Sequence, residues 1–180
     1  MKASKAQSPF PGQGNMGNIR MGLRQIGVIH TPYQDAAPYQ PVAEDNGTFR
    51  IVLRPEYSRA LHKLNSFRYI YVIYYLHRVS MEVEDLVSPP WTDDHEVGMF
   101  ASRSPVRPNP IGLSVVQVKD IIDNEIYTSG LDVYDGTPLL DIKPYIQHLD
   151  SKSDANHGWL DELGDLSHLA LHIHGIPHDY

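Results

Sequence analysis

Seven short β-type stretches, each closed by turn-forming residues, run through the middle of this 180-residue chain: QIGVIHTPY, TFRIVL, FRYIYVIYYL, VGMFAS, IGLSVVQVKDI, NEIYTSGLDVY and PLLDIKPY. Their bounds include Asn46-Gly47 and Asp135-Gly136, pairs that accept positive φ and close tight turns. So many short strands at close spacing argue for a barrel or a sandwich. The expectation is an all-β, closed or nearly closed barrel of about seven or more strands with short capping helices.

FRYIYVIYYL puts Phe67, Tyr69, Tyr71, Ile73 and Tyr75 on one face and Arg68, Ile70, Val72, Tyr74 and Leu76 on the other. Both faces are largely apolar, which predicts a central strand. PEYSRALHKL opens on a proline suited to a first helical position and predicts one or two turns capping a barrel end. VEDLVSPPWTDDHEVG, with its Pro-Pro pair and acidic groups, is expected to be an exposed loop.

Residues 1–22 are rich in Gly, Pro, Ser, Asn and Gln and are expected to form a flexible leader. The barrel domain is placed at 23–147 and a C-terminal extension at 148–180. In the extension, Trp159, Leu160, Leu163 and Leu166 suggest a short amphipathic helix.

Lys plus Arg number 15 against 22 Asp plus Glu, a formal charge of −7, which is opposite in sign to that of a strongly basic nucleic-acid binder. The chain has no cysteine, which removes disulfides, thiolate nucleophiles and Cys-ligated zinc and is compatible with a reducing cytoplasm. No window approaches the roughly 18 uninterrupted apolar residues of a membrane span, and the first residues show no export signal. A soluble, cytoplasmic protein is expected.

The stretch SRSPVRPNPIG, Ser102 to Gly112, sets Arg103, Arg107 and Asn109 among three prolines. Proline fixes its own φ and drives the residue before it towards extended geometry, so Ser104, Arg107 and Asn109 are all restricted. A stiff loop holds guanidinium and amide groups in place without an entropy cost at binding, as a clamp for an anionic or purine-bearing ligand requires. The plain reading is a rigid connection whose arginines face solvent or carboxylates.

A second candidate is LDVYDGTPLLDIKPY. Its Asp132 and Asp135 suit ribose hydroxyls, an ammonium or a proton. Asp135 before Gly136 also has the ordinary role of making a hairpin turn; Asp132 has no such role. His77 and Arg78 leave the central strand where a barrel mouth would lie, placed to orient a ligand or relay a proton. His172, His174 and His178 lack a carboxylate at metal-ligand spacing, so they are read as a solvated tail and no metal is expected. The fingerprints GxGxxG, GxxxxGK[ST], HExxH and GxSxG are missing.

Together QIGVIHTPY, AAPYQP, FRYIYVIYYLHR, VGMFASRSPVRPNPIGLSVVQV and LDVYDGTPLLDIKPY resemble the TsaA-like, or YaeB-like, family of β-barrel tRNA methyltransferases, in order and spacing from about Gln25 to Tyr145. The resemblance implies a barrel that binds S-adenosyl-L-methionine, forms a homodimer and methylates N6 of threonylcarbamoyladenosine beside the tRNA anticodon by direct in-line transfer. It implies cofactor contacts at Gln40, Pro41, Val42, His77, Arg78, Arg103, Leu113, Asp132, Val133, Tyr134 and Asp135. Arg107, Pro108 and Asn109 would belong to the adjoining signature loop. Asp135, His77 and Tyr134 are the candidate catalytic residues for taking the N6 proton. Two alternatives are a non-catalytic S-adenosylmethionine-binding sensor or partner-binding barrel, and a methyltransferase for a small molecule or a protein.

Overall fold

The computed structural model describes residues 22–38, 48–80, 82–89, 92, 95–163 and 170–171. The predicted leader to residue 21, Gln40–Val42, the Asn46-Gly47 turn and the three tail histidines lie outside the described residues.

The strands are β1 (Gly27–His30), β2 (Phe49–Leu53), β3 (Tyr69–Tyr75), β4 (Leu86–Val87), β5 (Val97–Gly98), β6 (Ile111–Ile122), β7 (Glu125–Thr128) and β8 (Thr137–Pro144). Six of them hydrogen-bond in the order β1-β2-β7-β6-β3-β8 and back to β1, so the sheet closes on itself as a ring, while β4 and β5 pair apart from it. All pairings are antiparallel.

Two long strands make the closure possible. The first half of β6, Ile111 to Gln117, pairs with β3, and its second half, from Val118, pairs with β7 across a register shift between Val118 and Asp120. An extra residue in one strand bends it and increases its twist. Here the shift also changes which residues face inward, from Ser114, Val116 and Val118 to Ile121. β8 likewise serves β1 with its start and β3 with the rest, with a shift opposite Ile73 and Tyr74.

Alternation fills the interior: Ile29, Phe49, Ile51, Ile70, Val72, Val116, Ile126 and Leu139 are each at most 1 % exposed. Each such side chain contributes roughly 1.5–3 kcal/mol relative to solvent exposure. On β3 the inward set is Ile70, Val72 and Tyr74, whereas the equally apolar outward set ends in exposed Tyr69 and Tyr75. The strand has partners on both sides, and on its outer face Tyr145 packs against Tyr69 and Tyr71 while Tyr75 at the other end is exposed.

Several expected elements differ. In VGMFAS only Val97 and Gly98 are extended; the chain then turns into a 3-10 helix, Met99–Ala101, closed by the Ser102 hydroxyl donating to the Met99 carbonyl. NEIYTSGLDVY is a strand only to Thr128; beyond it isolated bonds hold the segment, the Ser129 N–H to the Gln117 carbonyl, the Thr31 hydroxyl to the Val133 carbonyl and the Asp135 N–H to the Tyr33 carbonyl, with no continuous ladder. Asp135-Gly136 does form a turn, with the Thr137 N–H donating to the Tyr134 carbonyl and Gly136 at φ 80°. It does not join a hairpin, since β7 and β8 are not neighbours in the ring. The acidic loop contains the short β4, which pairs with β5.

PEYSRALHKL forms a 3-10 helix, Pro55–Leu61, followed by a second short turn, Leu64–Ser66. The extension begins with a four-residue α-helix, Gln147–Asp150, and continues to a 3-10 helix, Gly158–Leu163, where the amphipathic helix was expected. Leu166 is outside the described residues.

Candidate functional site

Strand direction alone places the candidates. β1, β3 and β7 end, and β2, β6 and β8 begin, at the same end of the ring, as the pairings His30 with Arg50, Phe49 with Thr128, Tyr75 with Ile111 and Ile29 with Thr137 show. The connections 31–48, 76–110 and 129–136 therefore all emerge there. Gln40 to Val42, His77, Arg78, Arg103, Arg107 to Asn109 and Asp132 to Asp135 all belong to these connections, and Leu113 lies close behind on β6.

The proline-rich loop is stapled from within. Arg107 is half-buried, and its guanidinium donates to the carbonyls of Met99 at 3.3 Å, Ser102 at 2.9 Å and Ser104 at 3.3 Å, above the Phe100 ring at 5.7 Å. The Ser102 and Ser104 hydroxyls each accept a backbone N–H two residues on. The Asn109 carbonyl accepts the Ile111 N–H, and that of Pro110 accepts the Leu76 N–H, which joins the loop to the end of β3. With Arg107 holding the loop's carbonyls, Arg103 is the arginine presented to solvent.

Arg103 stands within electrostatic reach of two groups at the rim, Tyr74 and Asp132. The Tyr74 hydroxyl bonds Ser114 Oγ at 2.9 Å, and Ser114 Oγ donates to Asp132 Oδ1 at 3.4 Å. Burial raises the Asp132 carboxyl above its ordinary range, against the opposing pull of its own backbone N–H, Ser114 and Arg103. Burial, with the nearby Asp132 charge, also drives the Tyr74 phenol upward, so it stays a neutral donor. Gly112 faces Tyr74 across the ladder, and a methyl group there would strike the Tyr74 ring. The glycine closing the PNPIG run is thus the space in which Tyr74 lies.

Asp135 faces β1. Its Oδ1 meets His30 Nδ1 at 2.9 Å and accepts the Thr31 N–H at 3.2 Å. Burial works against its charge, but hydrogen bonds from His30, Gln34 and the Thr31 backbone, with the His30 charge, hold the carboxyl below its ordinary range. The Thr31 hydroxyl donates to the Val133 carbonyl at 2.7 Å. Val133 itself packs in the core at 3 % exposure with its carbonyl taken by Thr31, so it serves the site as packing and not as a contact. His30, Thr31, Gln34, Arg50 and Asp135 line a concavity at this rim.

Arg78 ties the loops together. Its guanidinium donates to the Gln34 carbonyl and lies 4.5 Å from the centroid of the Tyr134 ring. His77 is exposed, and desolvation together with the Arg78 charge lowers its pKa, which favours the neutral imidazole. Leu113 is 59 % exposed on the outer face of β6, turned away from Ser114. The described residues thus put Arg103 within electrostatic reach of Asp132 and Arg78 over Tyr134, but leave Leu113 on a different face.

Over residues 28–151 the chain matches the family described as the tRNA-methyltransferase O N-terminal domain. The chain belongs to this family. It is 37% identical over 141 residues to a probable S-adenosyl-L-methionine-binding protein of Pyrococcus abyssi, covering 77% of this chain and 76% of the relative. To the tRNA (adenine(37)-N6)-methyltransferase of Escherichia coli it is 38% identical over 145 residues, 74% of this chain and 61% of that enzyme. A crystal structure of TrmO superposes with a TM-score of 0.65 at 30% identity, covering 78% of this chain and 64% of that one. The chain therefore spans less than two thirds of the Escherichia coli enzyme and of that TrmO chain.

In this family domain, sequence reasoning missed Tyr74, Ser114, His30 and Thr31 as parts of the site. Ser114 and Tyr74 were legible only as alternating strand residues. The signal that would have found them is a polar residue at an inward position: Ser114 sits among Val116 and Val118. His30 follows the inward Ile29, and nothing local indicates a partner 105 residues away.

Proposed function

We propose that this chain is an S-adenosyl-L-methionine-dependent tRNA methyltransferase that modifies N6 of threonylcarbamoyladenosine beside the anticodon, at the loop-lined end of a β-barrel formed by the ring. The observation that carries the reading is the convergence of three connections on one rim, where exposed Arg103 lies within electrostatic reach of half-buried Asp132. The relatives in Escherichia coli and Homo sapiens, both tRNA (adenine(37)-N6)-methyltransferases, support the substrate class.

The donor set fits the cofactor. An exposed guanidinium suits its carboxylate, and Asp132 suits an ammonium or ribose hydroxyls. Arg103, Asp132, Tyr134, His77 and Arg78 would hold it, with Asp135 at the edge. When bound, S-adenosylmethionine supplies an electrophilic methyl on a sulfonium.

The protein's part is alignment and proton removal. A stapled loop and an Arg78 bridge between two connections fix the acceptor's approach, and alignment alone removes a large part of a barrier. Of the three proton acceptors, Asp135 is already engaged by His30 and Thr31, and a lowered carboxyl is a weak base. Tyr134 is a phenol beneath a cation. His77, exposed and held neutral, is the residue we assign to take the N6 proton.

The homodimer is proposed through the outer face of β3 and β6, where Tyr75, Ile111, Leu113 and Val115 are exposed side by side. We retain the division into a barrel domain, 23–147, and an extension, 148–180. A second reading, a non-catalytic S-adenosylmethionine-binding protein, is favoured by the archaeal relatives, which are described as S-adenosyl-L-methionine-binding proteins.

The test is incubation with methyl-labelled S-adenosylmethionine and tRNA containing threonylcarbamoyladenosine, followed by nucleoside digestion. Label in the N6-methylated nucleoside, lost in Arg103→Ala, supports the enzyme. Cofactor binding without transfer of label overturns it in favour of the second reading.

A further inference from the structure

The end of the ring opposite the loops carries a feature that methyl transfer does not use. The connection from β2 to β3, residues 54–68, contains Arg54, Arg59, Lys63 and Arg68 against the single acid Glu56, a formal charge of +3 in a chain of −7. All four basic side chains are exposed. Among the described residues no ion pair reaches any of them.

These charges are mounted on a fixed frame. Leu61 is buried, and Tyr57 and Leu64 pack against the core, so the two 3-10 turns are pinned from below. Lys63 takes left-handed backbone geometry, φ 67°, between them, and its carbonyl accepts both the backbone N–H and the hydroxyl of Ser66. Ser58, Arg59, His62, Lys63 and Asn65 line a concavity of about 690 Å³. Every one of these side chains can donate a hydrogen bond, and none is a carboxylate.

We infer that this concavity is a second RNA-contact site, one that binds the phosphodiester backbone of the tRNA about 20 Å along the strands from the methyl-transfer end. The inference rests on the proposed tRNA substrate. Unpaired cations attract phosphate without reading sequence. Among the described residues no Phe, Tyr or Trp lines the concavity as a broad stacking platform, and its polar lining consists of hydrogen-bond donors, so the contact is assigned to backbone and not to bases. An acidic protein needs such a local reversal of charge to hold a polyanion, and a contact remote from the reacting base supplies affinity without crowding the cofactor.

The experiment measures binding of the full chain to tRNA across a salt series, together with steady-state methylation. Arg59→Gln with Lys63→Gln should weaken tRNA binding about tenfold at low salt and reduce the slope of log affinity against log salt by about 2. KM for tRNA should rise while kcat at saturating tRNA and the affinity for S-adenosylmethionine stay at the wild-type level. Arg59→Lys with Lys63→Arg, which keeps the charge, should retain binding. Unchanged affinity and slope in the Gln pair, with an unchanged melting temperature, would overturn the inference. A wild-type chain that binds tRNA with this salt dependence but transfers no methyl would instead overturn the proposed activity and leave the contact site standing.

Discussion

At the scale of single residues, the rim depends on one missing side chain. Gly112→Ala should displace Tyr74 from its place opposite and cost about 1–3 kcal/mol, read from chemical denaturation, because an overfilled core forces side chains off their rotamers. Tyr74→Phe, which keeps the ring and removes the bond to Ser114, should cost only about 1 kcal/mol. Arg103→Ala removes a charge-assisted contact, and roughly a 10- to 100-fold loss of S-adenosylmethionine affinity is expected by calorimetry. Arg107→Ala should instead loosen the loop and lower its protection from hydrogen exchange, since Arg107 bonds the loop's own carbonyls. Two titrations follow from the site. The Asp135 carboxyl is lowered in the folded protein, so its stabilisation is present above the ordinary carboxylate range and is lost as pH falls through the lowered value; Asp135→Asn should flatten that acid limb of the unfolding curve. His77 is lowered as well, so the acid limb of kcat should lie below the ordinary histidine range near 6.5 and disappear in His77→Gln.

At the scale of elements, the extension has a contact with the loop. Trp159 Nε1 donates to the Ala101 carbonyl at 2.9 Å, and the ring stacks on His95 with centroids 5.5 Å apart. Ala101 lies two residues before Arg103. Trp159→Phe should keep the stack and lose the hydrogen bond, which raises KM for S-adenosylmethionine by less than tenfold and leaves kcat intact; Trp159→Ala should do more. This link was not legible, because a tryptophan in a sparse apolar pattern gives no indication of a partner 58 residues earlier. Alternation was informative where one face is buried: β1, β2, β3 and β7 fall within the stretches expected to be strands, and β6 and β8 each overrun theirs by one residue. It failed in VGMFAS and LDVY. There Met99, Leu131 and Val133 are buried as in a strand, but side-chain bonds and turns satisfy the backbone, and alternation cannot distinguish the two. The clamp was half legible. Proline chemistry identified a stiff loop, yet only the geometry separates Arg107, which holds the loop, from Arg103, which the loop presents.

At the scale of the whole molecule, the outer face of β3 and β6 sets a testable state of association. Val115→Lys places a charge in the middle of that exposed apolar face without touching the interior, and should convert a dimer to a monomer in light scattering with little change in melting temperature. Unchanged mass would remove this face as the interface. The ring's strand order bears on a different property, the way the chain can be divided. Cut within the long 76–110 connection, one piece carries β1, β2 and β3 and the other β6, β7 and β8. The seams β2 with β7, β6 with β3, β3 with β8 and β8 with β1 all join one piece to the other. Neither half has a sheet of its own to close, so each should remain unfolded when produced singly, and the two should assemble when produced together, as a split protein whose halves report on their meeting.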